Sequence, residues 1–362
     1  MENINTETLK RALGKALRAQ IANVDFQSVL LRGGTVGEVR LVTGTAGTIG
    51  GERLPYRIVL KVQKKWERYG DPGSWRREYD LYSSGLEKIF TASLRGPECY
   101  HAEMNEGETE WHIWMEYIEG VSGYGLTAEM FERAAYEIGR FQGRLHENPQ
   151  DCICGMQNLR KLGCLKTWVS YRRSQDDDLY AYLKSDGCDI PGHLREMVIA
   201  DDGSADEVWA RIENLPVVFT HGDFWYENIF YRDGDIVLVD WDSTGFGYMG
   251  EDVWQLLTDE MDIGRAAKYY AKCVFAYYKG FSEHVDVSHI PVSRIEEMVL
   301  FNLGARHAKE YMNANTPEKK AAQIDALQKI HDMRNKIGEH GCNPKRNSTP
   351  ITKPRCRSYL PL

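Results

Sequence analysis

A two-residue Asp233-Gly234 turn sits between the apolar runs Ile229-Phe230-Tyr231 and Ile236-Val237-Leu238-Val239. Asp-Gly in that setting selects a type I′ hairpin, because both central positions need positive φ. The turn fixes the register. Arg232 must face Asp235, Ile229 must face Leu238, and Asn228 must face Val239, one residue from Asp240. His221-Gly222-Asp223 lies just upstream, with Asp223 five residues before Asn228. One end of a small ribbon therefore collects an amide oxygen and carboxylates.

That donor set suits phosphoryl transfer. The reaction needs little covalent help: a carboxylate beside the attacking hydroxyl, and hard oxygen ligands for a Mg²⁺ ion on the triphosphate. The Asp-x-x-x-x-Asn spacing of Asp223 and Asn228 is that of a kinase catalytic loop. Asp223 is placed to orient a hydroxyl and accept its proton. Asn228 and Asp240 are placed to share a metal ion.

Upstream, residues 5–23 read as a short amphipathic helix, and residues 27–63 as three strands separated by glycine turns. The first turn is Gly33-Gly34-Thr35-Val36-Gly37. Glycines there let backbone N–H groups approach phosphates closely, which makes Gly33, Gly34 and Gly37 candidate nucleotide contacts. The second turn is loose, with Gly44, Gly47, Gly50 and Gly51. In the third strand, Tyr56–Val62, Lys61 is the cation set among apolar neighbours Val59, Leu60 and Val62. A buried ammonium needs a carboxylate, whereas an edge strand would leave Lys61 in solvent. The helix over 74–82, closed by Gly85, offers Glu78 first and Asp80 second. Residues 99–103 and 111–118 read as strands. The second enters Glu119-Gly120, which puts backbone groups of Glu116 and Ile118 where a base edge would bind.

From Thr127 the apolar spacing turns helical through Leu145, with Thr127 as cap. Residues 200–206, acidic with Gly and Ser, read as an exposed loop, and residues 243–248 as a loop near the metal end. Glu251-Asp252 opens another helix, and helices continue to about residue 337. The helices after 250 offer Glu251, Asp259, Glu260 and Asp262 for substrate amino groups, or as solvated helix charge. Residues 341–362 are basic, proline-containing and free of acid, and read as a weakly ordered tail.

At 362 residues the chain has room for two lobes: 1–118 as a β-rich N-lobe and 119–340 as a helical C-lobe, with 341–362 as the tail. The net charge of −8 argues against nucleic acid as a partner. No apolar run is long enough to span a bilayer, and the N-terminus has no signal-peptide core, so the expectation is a cytoplasmic protein without a membrane partner. The eight cysteines are scattered with no C-x-x-C pair, which fits reduced thiols and not a structural zinc site.

With these pieces together, the chain resembles the aminoglycoside phosphotransferase and choline kinase-like family, the small-molecule branch of the protein-kinase-like fold. The resemblance runs over roughly residues 28–260 and rests most on His221-Gly222-Asp223 through Asn228 and on Val239-Asp240-Trp241-Asp242. Gly222 after the His separates it from protein kinases, and Leu145-His146 ending a long helix is also similar. The resemblance implies an α+β, bilobal fold. It implies an ATP- and Mg²⁺-dependent transfer to a hydroxyl of a small molecule. It makes Asp223 the base, Asn228 and Asp240 the Mg²⁺ ligands, and Lys61 with Glu78 the phosphate-anchoring pair. It makes Asp252 a brace of the catalytic loop and Asp242 a second acidic residue. The glycine turn is looser than that of protein kinases. The aromatic Phe224-Trp225-Tyr226, where many antibiotic kinases are smaller or more polar, resembles ecdysteroid- and fructosamine-kinase-like branches. Those rings suit stacking on a ring or a quaternary ammonium, or core packing, which is favoured for Phe224. A non-catalytic nucleotide-binding regulator on the same fold would not need Asp223. A protein kinase would carry H-R-D, D-F-G and A-P-E motifs that this chain lacks.

Overall fold

The computed structural model describes residues 4–31, 37–68, 70–148, 153, 155–259 and 261–337. Its N-terminal half is built on a five-stranded antiparallel sheet of order β1-β2-β3-β6-β5. The strands are β1 (Ile21–Leu30), β2 (Gly37–Thr48), β3 (Arg53–Lys64), β5 (Cys99–Met104) and β6 (Glu110–Glu116); β4 (Leu94–Arg95) lies outside this sheet. Helix α1 (Thr6–Ala16) is capped by Asn5, whose side chain accepts from the Glu7 and Thr8 amides. The helix is shorter than the 5–23 expected. Arg18 takes a left-handed φ of 51°, and the chain enters β1 at Ile21.

Side chains alternate along β3 as a pleated strand requires. Ile58, Leu60 and Val62 face Leu9 and Leu13 of α1 and Trp114 of β6, forming a small separate core. Val59 points the other way into the main core, and Lys61 shares its side. Helix α2 (Ser74–Ser84) packs on that second face and ends at Gly85 with φ 87°. Gly44 and Gly47 lie within β2 and not in the turn expected. A Cβ on Gly44 would sit 1.8 Å from the Asp25 carbonyl, so only glycine lets β1 approach there.

The C-terminal half is helical, and the whole is the α+β, bilobal protein-kinase-like fold. Helix α3 (Ala128–Glu147) starts at Thr127, whose hydroxyl accepts from the Met130 amide. Then come α4 (Cys164–Ser174), α5 (Asp177–Leu183), α6 (Gly192–Gly203), α7 (Ala205–Ile212), α8 (Glu251–Thr258), α9 (Ile263–Ser282), α10 (Ser293–Leu300), α11 (Leu303–Asn313) and α12 (Pro317–Arg334). Residues 200–206 are therefore helical around a break at Ser204, and not a loop. Asp201 is buried against the guanidinium of Arg334, a tertiary contact that composition cannot show. Among the described residues no helix is long and apolar enough to cross a membrane.

Two small sheets join the lobes to the loop that follows them. The hairpin of β9 (Ile229–Arg232) and β10 (Asp235–Leu238) has the register set by its turn: Arg232 opposite Asp235 and Ile229 opposite Leu238. Asp233 and Gly234 have φ of 52° and 100°. β10 also runs parallel to β4, and β9 pairs with β7 (Val121–Ser122). Beside it, β8 (Val217–Thr220) pairs with β11 (Gly245–Tyr248), a strand where the sequence suggested a loop.

Helices α3 and α9 form the main axis of the helical lobe. Their contact is built from glycine. A Cβ on Gly139 would fall 2.2 Å from the Tyr277 carbonyl, and one on Gly280 would fall 2.2 Å from the Tyr136 carbonyl. Alanine adds up to about 1 kcal/mol of helix propensity, but here it meets backbone that cannot yield. Gly139→Ala and Gly280→Ala are each expected to destabilise the fold by about 1–3 kcal/mol, read as a lower midpoint in urea unfolding with unchanged slope. A rise in the midpoint would show that the helices separate at little cost.

Candidate functional site

Lys61 lies on the central strand β3, between Val39 of β2 and Ile113 of β6. It is 9% exposed, so the edge-strand alternative does not hold. Its Nζ donates to the Glu78 carboxylate and, at 2.8 Å, to Asp240 Oδ1. Burial alone would push this ammonium down. The charges of Asp240, Glu78 and Asp242 outweigh that and hold it above its usual range. Asp240, which burial would raise, is brought below the usual carboxylate range by Lys61. Glu78 is 1% exposed, and burial together with the nearby Asp240 charge lifts it to about 7 against the pull of Lys61. Asp80, the second-choice partner, instead binds Arg76 one turn earlier.

Asp240 is delivered by the hairpin. The Val239 amide donates to the Asn228 carbonyl at 3.1 Å, extending the ladder one step beyond β9 and β10. Asp240 then adopts φ 64°, ψ 69°, a left-handed conformation that costs a non-glycine residue about 1–3 kcal/mol. Buried Trp241 holds this turn, its indole N–H donating to the Leu238 carbonyl at 2.8 Å.

Asp223 follows β8 on a loop tied down by α8. Asp252 accepts the amides of His221 at 3.0 Å and Gly222 at 2.9 Å, and the Gln142 side chain at 2.7 Å. Gln255 accepts the Phe224 amide at 3.1 Å and donates to the Gly222 carbonyl at 2.7 Å. Gly222 has φ 81°, and a Cβ there would fall 2.2 Å from the Ser243 carbonyl, so this position requires glycine. His221 is buried and pushed down to about 4, hence neutral near pH 7, and its Nε2 is 3.1 Å from the Val239 carbonyl. Phe224 is fully buried, in accord with core packing.

Asn228 Nδ2 donates to Asp223 Oδ2 at 2.8 Å and to the Asp223 carbonyl at 2.9 Å. That leaves Asn228 Oδ1 with no protein donor among the described residues. Asn228 Oδ1 and Asp240 Oδ2 are hard oxygen donors of the kind Mg²⁺ takes with phosphate and water. Among the described residues no group of three or more His, Cys, Asp or Glu is placed to hold a metal ion. Burial, then the charges of Asp240, Asp242 and Asp259, push Asp223 up to about 7.

Of the other expected residues, Gly37 opens β2 opposite Gln63, at the far end of β3 from the Arg53 turn, while Gly33, Gly34 and Glu260 lie outside the described residues. Glu116 ends β6, with its side chain paired to Arg95 at 2.6 and 2.9 Å. The Ile118 amide has no acceptor among the described residues. Glu251 is not open to substrate: it is buried against Arg160 at 3.3 Å. Asp262 caps α9 by accepting the Arg265 amide at 3.0 Å. Asp259 does line the cavity beside Asp223. That cavity, about 390 Å³, is also lined by Arg68, Arg160, Cys164 and Trp168, none of which the sequence had marked.

Arg77 was also unmarked. It is 1% exposed and ties three segments to α2. Both terminal nitrogens bind Asp71 at 2.8 and 2.6 Å, one reaches the Asp242 carbonyl at 2.6 Å, and Nε donates to the Asn158 carbonyl at 2.5 Å. In sequence it is one of two arginines before Glu78, with nothing to separate it from its half-buried neighbour Arg76.

A sheet carrying a buried Lys-Glu pair, set over a hairpin that presents Asn228 and Asp240, defines a bilobal phosphotransferase fold. The family model of the phosphotransferase enzyme family matches residues 82–283, more than half of the chain, and the chain belongs to that family. Solved structures are similar in fold. The GDP and kanamycin complex of APH(2")-IIia has 12% identity and a TM-score of 0.50, covering 91% of this chain and 98% of that one. The GDP complex of wild-type aminoglycoside 2'-phosphotransferase-IIIa has 13% identity and a TM-score of 0.50, covering 92% and 99%. A choline kinase from Cryptosporidium parvum Iowa II has 13% identity and a TM-score of 0.49, covering 87% and 91%. A comparison with curated proteins finds no match.

Arg77→Lys keeps the charge but loses the planar fork. It is expected to cost about 3 kcal/mol in urea unfolding. A loss within the error of the wild-type measurement would show that α2 is held by its apolar face alone.

Proposed function

We propose that the chain transfers the γ-phosphoryl group of ATP to a hydroxyl of a small molecule. Asp223 is the base, Lys61 held by Glu78 anchors the phosphates, and Asn228 with Asp240 holds Mg²⁺. The observation that carries this reading is the convergence of Lys61, Asp240 and Asp223 from three separate segments, with a cavity opening on Asp223. A module that only bound nucleotide would have no use for a half-buried carboxylate poised near pH 7 at the cavity floor.

In this mechanism Asp223 accepts the proton of the acceptor hydroxyl as its oxygen bonds to the γ-phosphorus. The bond from that phosphorus to the bridging oxygen breaks, and its electron pair leaves with ADP. Asn228 fixes the Asp223 carboxylate through Oδ2 and leaves the other oxygen for the acceptor. Lys61 draws on two carboxylates, so a phosphate oxygen can replace Asp240 as its partner while Glu78 stays. Bound Mg²⁺ would supply charge neutralisation at the phosphates. Glu116 and Ile118 would meet the base edge through the Glu116 carbonyl and the Ile118 amide, and Gly33, Gly34 and Gly37 would cover the phosphates.

Two measurements follow. Asp223→Asn is expected to lower kcat by about 10²–10⁴-fold with little change in nucleotide binding, while Asp240→Asn raises KM for Mg·ATP as well. Wild-type kcat/KM should rise with pH and level off above about 7, as the free-enzyme base ionises. Turnover near wild type in the Asp223 variant would remove Asp223 from the base role.

The same shift makes a stability prediction. A carboxyl moved from 3.8 to about 7 on folding disfavours its ionised form in the native state. That penalty is full above the folded value and vanishes as pH falls toward the unfolded one. Without metal or nucleotide, Asp223→Asn should therefore melt several degrees above wild type at about pH 8, the gap closing by about pH 4. A variant that melts below wild type at the higher pH would contradict it.

A further inference from the structure

The cavity beside Asp223 has an arginine built into its wall. Arg160 is fixed through its backbone: its amide donates to the Thr244 carbonyl at 2.9 Å, and its carbonyl accepts from the Phe246 amide at 2.9 Å. This contact needs Gly245, where a Cβ would lie 2.3 Å from both the Arg160 nitrogen and oxygen. The side chain is 8% exposed. One terminal nitrogen, Nη2, binds Thr220 Oγ1 at 2.9 Å and Glu251 at 3.3 Å. Nε is buried without a hydrogen bond, and among the described residues Nη1 donates to no protein acceptor. A buried guanidinium with part of its fork unpaired is costly, and this one borders the space an acceptor must enter.

A second guanidinium reaches the same cavity from the loop after β3. Arg68 donates to Ser243 Oγ at 2.7 Å and to Asp242 at 3.0 Å, with its plane over Trp66. Its side chain stays 36% exposed, so it keeps donors for a ligand. Of the acids of this wall, Asp71 is taken by both terminal nitrogens of Arg77, while Asp223 and Asp259 lie within electrostatic reach of each other. Trp168, half exposed on α4, gives the cavity an aromatic side.

We propose that the acceptor bears, besides its hydroxyl, an anionic oxygen group of the carboxylate type that Arg160 and Arg68 receive, with its apolar part against Trp168. This rests on the phosphotransfer reading, since the hydroxyl is placed by Asp223. Guanidinium forks match planar carboxylates, and although Arg160 already shares Glu251 and Arg68 shares Asp242, each keeps nitrogens that a ligand oxygen can take. Arg68 and Arg160 come from opposite sides of the cleft, so such a group would also draw the two sides together around the reacting hydroxyl.

The test uses the full chain with its nucleotide cleft saturated by Mg·ADP, which removes competition at Lys61. Malate and phenyllactate are titrated against their primary amides, and against chloride at equal ionic strength, with thermal melting as the readout. The acids are expected to raise the midpoint saturably and the amides are not. Arg68→Gln and Arg160→Lys are each expected to weaken the apparent affinity about tenfold. Arg68 lies outside the core, so its variant keeps the test valid if the Arg160 variant fails to fold. Amides binding as well as acids, a response to acids no larger than to chloride, or undiminished acid binding by the Arg68 variant would each overturn the inference. Failure of wild type to bind Mg·ADP would instead strike the phosphotransfer reading, and this inference with it.

Discussion

A buried ammonium cannot stand alone, and most of the architecture around Lys61 answers that constraint. Removing a charge from water costs several kcal/mol even after relaxation. Lys61 recovers it from Glu78 on α2 and Asp240 beyond the hairpin. The first partner requires α2 to lie against the inner face of the sheet. The second requires the hairpin of the other lobe to point its end at the same atom. The two lobes, which share the main core, also meet at this nitrogen. Arg77 repeats the device one residue earlier, linking α2 to the backbone at Asp242 and Asn158. Adjacent charged residues in one helix therefore have two jobs: Arg77 locks the helix and so sets where Glu78 can reach.

What was legible in the chain was local. The Asp233-Gly234 turn admits one register, so the positions of Asn228 and Asp240 followed from two residues and a pleat. The Lys61–Glu78 pair followed from one buried cation and one helix with a suitable acid. What stayed hidden depended on partners distant in sequence. Asp201 reads as a loop acid until Arg334, 133 residues later, arrives to pair with it. Gly245-Phe246-Gly247-Tyr248 reads as a loop because the strand it joins, Val217–Thr220, is four residues long. Glu251 and Asp252 both read as first-turn acids that suit a helix dipole, and only the family resemblance marked Asp252 as a loop brace; one is consumed by Arg160 and the other by the amides of His221 and Gly222. No spacing rule separates these uses.

The helix axis of the C-terminal lobe is not independent of the chemistry. Gly139 and Gly280 let α3 and α9 approach to backbone contact, and that closeness sets the Tyr277 hydroxyl 2.6 Å from Gln142 Oε1. Gln142 can then present only its amino group to Asp252, at 2.7 Å. The same hydroxyl accepts the Gly250 amide at 3.0 Å, at the start of α8. Asp252 is thereby oriented before it meets the loop that carries Asp223, and its two oxygens divide between the His221 and Gly222 amides. Tyr277, Gln142 and Asp252 are buried, and their side chains pair with one another and with the two loop amides, the condition under which a polar network specifies one geometry. Asp223 directly follows its last member, Gly222. The position of the Asp223 carboxylate at the cavity floor is therefore a consequence of how closely two helices pack in the core, and a packing change there reaches Asp223 through four hydrogen-bonded groups without touching a ligand.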